Sequence, residues 1–405
     1  MGLSTEERLI CDAIDQQRDR LAGISDRIHG FSEMGYQEHK SSNLLVSALR
    51  DFGMGVTAGT SGLPTAFHGV FEGASSGPNI AFLAEYDALP GIGHACGHNL
   101  IGTAAAGAAA GLRAVQDLLP GSVHVFGTPA EEGFAPGAGG KVVMFNEGAF
   151  KGMDAVLMVH PGEPFCGNGP SLARENFRLI FFGRRPKTGE PRWEAADSQD
   201  GLMLTQMAIH VLRQHVSPDV VIQWIIEKGG ENPNIIPVES HARMYVRANT
   251  MDTVKKVVAR VMDCAQGAAS AIGGRVEYHR HAQPYDEVVP NVTLNKALVQ
   301  ALRDMGVPED DVSETPRQKQ PTHSNDLGII SKHIPSQSAS IIVGPRGLVL
   351  HTVEATEATK SETAHQGMIT GAKAMAVLAW RLSTQPDLLE QARRELKMVS
   401  GSSIG

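Results

Sequence analysis

Apolar residues in the first fifty positions recur at helical spacing. Leu9, Ile14, Leu21 and Ile24 are followed, after a break that contains glycine, by Leu44, Leu45, Val46 and Leu49. Residues 5–52 are therefore expected to be helical. The pattern then changes to short continuous apolar runs. Asn79-Ile80-Ala81-Phe82-Leu83-Ala84 leads into Glu85-Tyr86-Asp87, Val123-His124-Val125-Phe126-Gly127 leads into a loop holding Glu131 and Glu132, and Ala155-Val156-Leu157-Met158-Val159 leads into His160. Runs without alternation fit strands buried on both faces, as in a parallel sheet covered by helices. The Ala- and Gly-rich stretch Leu100–Leu119 reads as a buried helix between the first two strands. In such sheets functional groups gather beyond the carboxyl ends of the strands, which is where these polar residues fall.

Between about Ala173 and His281 the pattern differs. Phe177–Phe182, Val220–Ile226, Ala242–Arg247 and Arg275–Tyr278 predict strands, and helical stretches near Leu202–Gln214 and Met251–Ile272 are interleaved with them. The order β-α-β-β-α-β is a ferredoxin-like plan. After Pro290 the chain returns to helix and strand and ends with the apolar helix Ile369–Leu382. The reading is an α/β protein in two domains. One is discontinuous (1–174 and 285–405), with a mixed, largely parallel sheet flanked by helices, and the other (175–284) is inserted into it. A polar loop from Pro308 to Thr322 is expected to be exposed.

Length supports two domains, since 405 residues exceed one simple core. A net charge of −8 gives no electrostatic reason to expect nucleic acid as a partner. No apolar run approaches the ~18 residues of a membrane span, and Met1–Gln17 is polar and acidic, without a signal-peptide core. Gly2 does not make a myristoylation site, because Glu6 stands where Ser or Thr is needed. Cys11, Cys96, Cys166 and Cys264 are scattered, which fits a reducing, cytoplasmic setting better than a disulfide scaffold.

The chemistry concentrates in Gly91-Ile92-Gly93-His94-Ala95-Cys96-Gly97-His98-Asn99. Thiolate and imidazole are strong ligands for zinc and similar divalent ions, and the glycines let a tight backbone turn alternate side chains toward one point. Thr128-Pro129-Ala130-Glu131-Glu132-Gly133 supplies adjacent carboxylates, while Val159-His160-Pro161 and Leu350-His351-Thr352 each supply a histidine. Adjacent carboxylates at buried strand ends are costly unless a cation compensates them. A structural zinc site would show paired short cysteine spacings. Their absence, and the surplus carboxylate, favour a metal hydrolase site.

Glu85-Tyr86-Asp87-Ala88-Leu89-Pro90-Gly91 through Ile101 resembles the signature of the aminoacylase/carboxypeptidase G family of metallopeptidases, in the branch of aminoacylase-like (β-alanyl-lysine) dipeptidases and aminobenzoyl-glutamate hydrolases. Gly127–Glu132, Met158–Pro161, Asn234-Ile235-Ile236-Pro237, Ser324–Gly328 and His351-Thr352 resemble further motifs of that family, so the match runs from about Glu33 to Leu382. The resemblance implies a catalytic domain of the zinc-peptidase type holding one or two divalent ions (zinc first, manganese or cobalt as alternatives). It also implies a ferredoxin-like lid that closes over the substrate and mediates homodimerisation.

Carried over by position, Cys96 would bridge, His98 and His160 would hold one metal, and Glu132 and His351 the other. Glu131 would be the general base and Asp87 would orient a ligand. Asn234 and Arg247 would bind substrate carboxylate or carbonyl groups. His94 falls outside the ligand positions, and His351 is preferred to His365 because it carries the His-Thr pair. The family's lid histidine, an oxyanion donor, is replaced here by Lys187 in Gly183-Arg184-Arg185-Pro186-Lys187. A lysine can substitute as a point-charge donor. The expected function is cleavage of a small N-acyl amino acid or dipeptide. The alternatives are non-hydrolytic amide chemistry in a biosynthetic pathway and a non-catalytic metal-binding scaffold.

Overall fold

A computed structural model describes residues 2–167, 169–315 and 321–401. Three helices open the chain: α1 (Thr5–Gln16), α2 (Arg18–Phe31) and α3 (His39–Asp51). Ser4 starts α1 with a capping box, its hydroxyl accepting from the amide of Glu7 while Glu7 reaches back to the amide of Ser4. The α3 start is held by Glu33, whose carboxylate accepts from the amides of Lys40 (3.0 Å) and Ser41 (2.9 Å).

Strands β1 (Gly55–Ala58), β2 (Phe67–Glu72) and β3 (Ser75–Ala84), helix α4 (His98–Arg113), strand β4 (Pro120–Gly127), helix α5 (Gly140–Asn146) and strand β5 (Ala155–Pro161) follow. The second unit contains β6 (Ala173–Phe182), α6 (Ser198–Leu212), β7 (Val221–Lys228), β8 (Glu239–Ala248), α7 (Met251–Ala271) and β9 (Arg275–Arg280). The chain then gives α8 (Val292–Asp304), α9 (Gly328–Ser331), β10 (Ser336–Ile341), α10 (Val353–Ala358), α11 (Glu362–Thr384) and α12 (Pro386–Gly401).

The chain divides into two compact units. One comprises Met1–Pro170, Val288–Pro321 and Asp326–Gly405; the other comprises Ser171–Glu287 and Thr322–Asn325. The first is built on a six-stranded sheet of order β1-β2-β4-β3-β5-β10. β4, β3, β5 and β10 run parallel, while β1 and β2 are antiparallel additions. Alternate residues of the central strands feed two cores. Phe82, Val125, Leu157 and Ile341 pack with the helices on one side, among them α1, α4 and α11. Leu83, Phe126, Val156 and Met158 pack with Met144 of α5 and Ile330 of α9 on the other. Gly102 lets α4 press onto the end of β3, since a Cβ there would lie 2.6 Å from the carbonyl oxygen of Glu85.

The second unit is an antiparallel sheet of order β7-β8-β6-β9. Phe177, Leu179, Phe181, Met244 and Val246 of one face pack with Val254, Val257 and Val261 of α7. This is the ferredoxin-like plan expected from the sequence. Three elements of the first unit do not follow from the apolar pattern. β1 is short and mostly exposed, β2 alternates buried and half-buried positions around His68 and Gly69, and β10 is rich in serine, so none presents an apolar run. The final helix also extends beyond Ile369–Leu382 in both directions, and α12 follows it. Pro308–Asp310 are exposed, but Val312 turns inward beside Phe165; residues 316–320 of the expected polar loop lie outside the described residues.

Candidate metal centre

The ends of the parallel strands deliver the polar groups. β3 ends at Ala84 and is followed by Glu85 and Asp87; β4 ends at Gly127 and is followed by Glu131 and Glu132; His160 lies near the end of β5. Ala130, in the left-handed region at φ 58°, turns the chain so that both glutamates follow at once. Gly97, at φ 76°, forms the N-cap of α4 and puts His98 in its first turn.

Asp87 organises the cluster. Its Oδ1 accepts from Nδ1 of His98 at 2.8 Å, and its Oδ2 accepts from the amide of Glu132 at 3.0 Å. Nδ1 of His160 donates to the carbonyl of Pro161 at 3.0 Å. Both imidazoles thus have Nδ1 engaged as a donor, which leaves the Nε2 lone pair for a ligand. His98 Nε2 lies 3.3 Å from Glu85 Oε2, 3.9 Å from Glu131 Oε2 and 3.8 Å from Glu132 Oε1. Cys96 Sγ is 3.4 Å from His160 Nε2.

His351 also sits at a left-handed position, φ 65°, with its amide bonded to the carbonyl of Ala95 at 3.0 Å. Its side chain is 55% exposed and places Nε2 at 3.9 Å from Glu132 Oε2. Three ligand groups result, each with candidate atoms within 4.8 Å of one another: Cys96, His98 and His160; Cys96, Glu132 and His351; and His98, Glu131 and Glu132. His365 is elsewhere, donating to Asp26 at 2.9 Å. His94 is buried and donates to the carbonyl of Ile28 at 3.1 Å.

Burial makes this a strained set of charges. It pushes Glu132 up to about 7, with Asp87 and Glu85 adding to it against the pull of His98. Glu131 is raised well above the carboxylate range by burial and by Glu85, Asp326 and Glu132. Burial and the charge of Glu132 raise the Cys96 thiol as well. Burial alone would lower His98, but Asp87, Cys96 and Glu85 outweigh it and raise it. Glu85 Oε2, His98 Nε2 and Glu132 Oε1 are buried with no hydrogen-bond partner. Such orphaned atoms are rare in a folded interior, and a divalent cation held by the group His98, Glu131 and Glu132 would satisfy His98 Nε2 and Glu132 Oε1 while favouring the anionic forms of the carboxylates. The residues present fit a metal.

Sequence reasoning missed Lys141. It is fully buried on α5, with Nζ 2.6 Å from Glu85 Oε1 and 2.5 Å from Asp326 Oδ1. Asp326 Oδ2 also accepts from the amide of Lys141 at 3.1 Å. The available signal was weak: a lone lysine ahead of Val142-Val143-Met144 reads as the solvent face of a short helix. Lys187, Asn234 and Arg247 belong to the second unit. Lys187 is exposed in a loop where its amide bonds Glu190 at 2.8 Å, Asn234 is exposed, and Arg247 is half-buried on β8 with its guanidinium 5.3 Å from the Tyr245 ring.

Residues 81–379 match the family described as Peptidase family M20/M25/M40. The chain belongs to this family and is a hydrolase. It is similar to the Xaa-Arg dipeptidase of Mus musculus, at 34% identity over 96% of this chain and 92% of that one. It is also similar to one component of the p-aminobenzoyl-glutamate hydrolase of Escherichia coli strain K12, at 28% identity over 97% and 95%. Its fold matches that of a dinuclear metal-binding peptidase of the M20 family from Bacillus subtilis, with a TM-score of 0.65 at 18% identity, covering 91% of this chain and 99% of that one. None of the described helices of this M20-family chain is long and apolar enough to cross a membrane.

Proposed function

We propose that this hydrolase cleaves the amide bond of a small N-acyl amino acid or dipeptide at a centre holding two divalent cations, zinc first and manganese or cobalt otherwise. The observation that carries this reading is the convergence of Cys96, His98, Glu132, His160 and His351 beside Glu131, with buried acceptor atoms left unsatisfied. Cys96 is common to two of the ligand groups and is the bridging candidate. His98 and His160 would hold one ion, Glu132 and His351 the other. When bound, the ions supply Lewis-acid polarisation of the scissile carbonyl and lower the pKa of water.

The chain's own residues do the rest. Glu131 takes the proton of the attacking water through its carboxylate and hands it to the leaving amine. Asp87 keeps Nδ1 of His98 protonated, so the ring presents one fixed face. Asn234 and Arg247 bind the substrate's carbonyl or carboxylate groups, and Lys187 stands where the family carries its oxyanion-stabilising histidine. The names of the similar proteins, a dipeptidase and an aminobenzoyl-glutamate hydrolase, denote cleavage of small amides and support this substrate class. Lys187 also favours a second reading, non-hydrolytic amide chemistry, because a solvated ammonium is a poorer oxyanion partner than a positioned imidazole. Glu131 argues against a pure scaffold, which needs no base beside its metal.

Assembly as a homodimer is supported by the second unit, where Met203, Met207 and Val211 of α6 and Val221 and Ile225 of edge strand β7 are exposed. All four cysteines are free, which fits a cytoplasmic setting. The test is a panel of acyl amino acids and dipeptides assayed before and after chelation and metal add-back. Glu131→Gln should retain bound metal and lose about 10²–10⁴ in turnover. Unchanged hydrolysis in that variant would sink the mechanism.

A further inference from the structure

The connector between α2 and α3, residues 32–38, reaches the extensions of two sheet strands at once. The carbonyl of Glu33 accepts from the amide of Ala88 at 2.8 Å, just past Asp87 at the end of β3. The hydroxyl of Tyr36 donates to the carbonyl of Gly137 at 2.9 Å, in the loop after β4. Glu38, fully buried, divides its carboxyl between the same two regions. Oε1 accepts from the amide of Ala130 at 2.9 Å, and Oε2 accepts from the hydroxyl of Thr65 at 2.9 Å. The carbonyl of Thr65 in turn accepts from the Tyr86 hydroxyl at 2.6 Å. Tyr86 stands between Glu85 and Asp87, and Ala130 immediately precedes Glu131 and Glu132. One side chain therefore ties the segment carrying Asp87 to the turn carrying the proposed base and a candidate ligand.

A local role does not account for Glu38. It occupies the N-cap position of α3, yet its side chain makes no capping bond there. Glu33 accepts from the first amides of that helix instead. Burying a carboxyl is costly, and what this burial secures is a strained turn. Ala130 is left-handed at φ 58°, a conformation unfavourable for a residue with a Cβ. It is gripped on three sides. Glu38 takes its amide, the amide of Gly139 donates to its carbonyl at 2.8 Å, and Gly35 lies so near that a Cβ there would stand 2.8 Å from Ala130 Cβ. Strained backbone persists only where its surroundings over-determine it. Released to an ordinary φ, Ala130 would swing Glu131 and Glu132 away from His98 Nε2, which they approach at 3.9 and 3.8 Å.

We propose that Glu38 is a positioning residue that holds Ala130 in the turn aiming Glu131 and Glu132, and so sets metal affinity and turnover without touching metal or substrate. The proposal deepens the metal-dependent amide-hydrolysis reading and rests on it. A hydrogen bond that orients a ligand's carrier acts as outer-shell partners of metal sites do, through the geometry of the groups that bind.

Zinc titration of the metal-free protein against a competing chelator tests it, together with circular dichroism and with kcat and KM on the acyl amino acid and dipeptide panel. Glu38→Met keeps the side-chain length and loses both acceptors. It should bind zinc about 10–100-fold more weakly. Its kcat should fall by about the same factor with KM little changed, because the displaced groups act on the reacting water rather than on substrate binding. Glu38→Gln keeps an acceptor for Ala130 and can donate to Thr65 Oγ1, so it should restore both values to near those of the parent. If Glu38→Met does not fold, Glu38→Asp, one methylene too short to reach Ala130 and Thr65 together, should show the same losses. A folded variant changed only in its denaturation midpoint, with parental zinc affinity and kcat, would mark a purely structural role and overturn the proposal. So would a Glu38→Gln as impaired as Glu38→Met. A parent protein that takes up no metal overturns the amide-hydrolysis reading and this proposal with it, whereas a parent that binds zinc and hydrolyses beside an unaltered Glu38→Met overturns the proposal alone.

Discussion

Two buried polar networks share the sheet of the first unit, and they are built on opposite terms. On β2 and β4, His68 Nε2 donates to His124 Nδ1 at 2.8 Å, His124 Nε2 to Ser122 Oγ at 2.7 Å, and Ser122 Oγ to Asn79 Oδ1 at 2.6 Å. The direction of this relay follows from Asn79, whose amide nitrogen donates to the carbonyl of Gly152 at 2.9 Å and leaves Oδ1 to accept. The relay is neutral and each link has a donor and an acceptor. The cluster at the ends of β3, β4 and β5 gathers Glu85, Asp87, Glu131 and Glu132 around His98 and leaves three atoms orphaned. Histidine content alone would not distinguish the two. What separates a structural network from a site is whether its charges and hydrogen bonds close without an added group.

Lys141 is the test of that distinction with the largest expected effect, because there an ammonium compensates the acidic cluster from within. Breaking a buried pair by removing one partner costs about 3–5 kcal/mol. Lys141→Met should lower the denaturant midpoint accordingly. Adding Asp326→Asn should recover part of the loss, since the second variant removes one of the stranded anions. Stability equal to the parent protein would mean that Glu85 and Asp326 are protonated and that no buried ion cluster exists around Lys141.

Metal removal should come next in size. A ligand that binds only the folded state stabilises it by about 2.7–4.1 kcal/mol at 100–1,000 times its dissociation constant. Chelation should therefore lower the unfolding midpoint by that amount, and zinc, manganese or cobalt should restore it. The gain should also grow with pH. Burial holds Glu132 at about 7 in the metal-free cluster. That is above its unfolded value, so the metal-free fold is favoured by protonation below 7 and loses that support as pH rises through it. A cation displaces the proton and removes the penalty. A metal-induced gain that is flat between pH 5.5 and 8 would argue against Glu132 as a ligand.

The contrast also explains what could be read from the chain alone. Of the parallel strands, β3, β4 and β5 were legible because each is a continuous apolar run, and the candidate ligands Glu132 and His160 were legible because they stand at or just beyond the ends of such runs, whereas serine-rich β10 was not. β1 and β2 were not, since antiparallel additions with one half-buried face carry too few apolar residues to rise above the surrounding loops. Lys141 was hidden for a different reason. A buried lysine is defined by the acids around it, Glu85 from 56 residues away and Asp326 from 185, and neither separation leaves a local pattern. His351 could be preferred over His365 only through the apolar run Leu348–Leu350 before it and the His-Thr pair. The structural reason is the left-handed turn at His351, which redirects its side chain toward Glu132, while His365 spends its ring on Asp26.

The histidine relay gives the smallest effect and the one most particular to a closed network. Burial lowers His68 and lowers His124 to about 4, with the neighbouring ring of His68 adding to the second shift. Both folded values lie below the ordinary value of about 6.5, so the unfolded chain binds more protons as pH falls. The stabilisation is complete above 6.5 and is lost progressively as the pH drops toward 4. A second proton would also leave two donors facing each other across the His68–His124 link. Between pH 7 and 5 the protein should lose about 1 kcal/mol through this pair once solvent screening is allowed for. His124→Gln, which keeps a polar partner for Ser122 and cannot charge, should flatten that slope in urea titrations while leaving metal content unaltered. A parent and variant with parallel pH slopes would show that the relay is not the group that titrates, and a variant that lost metal as well would erase the separation between the two networks.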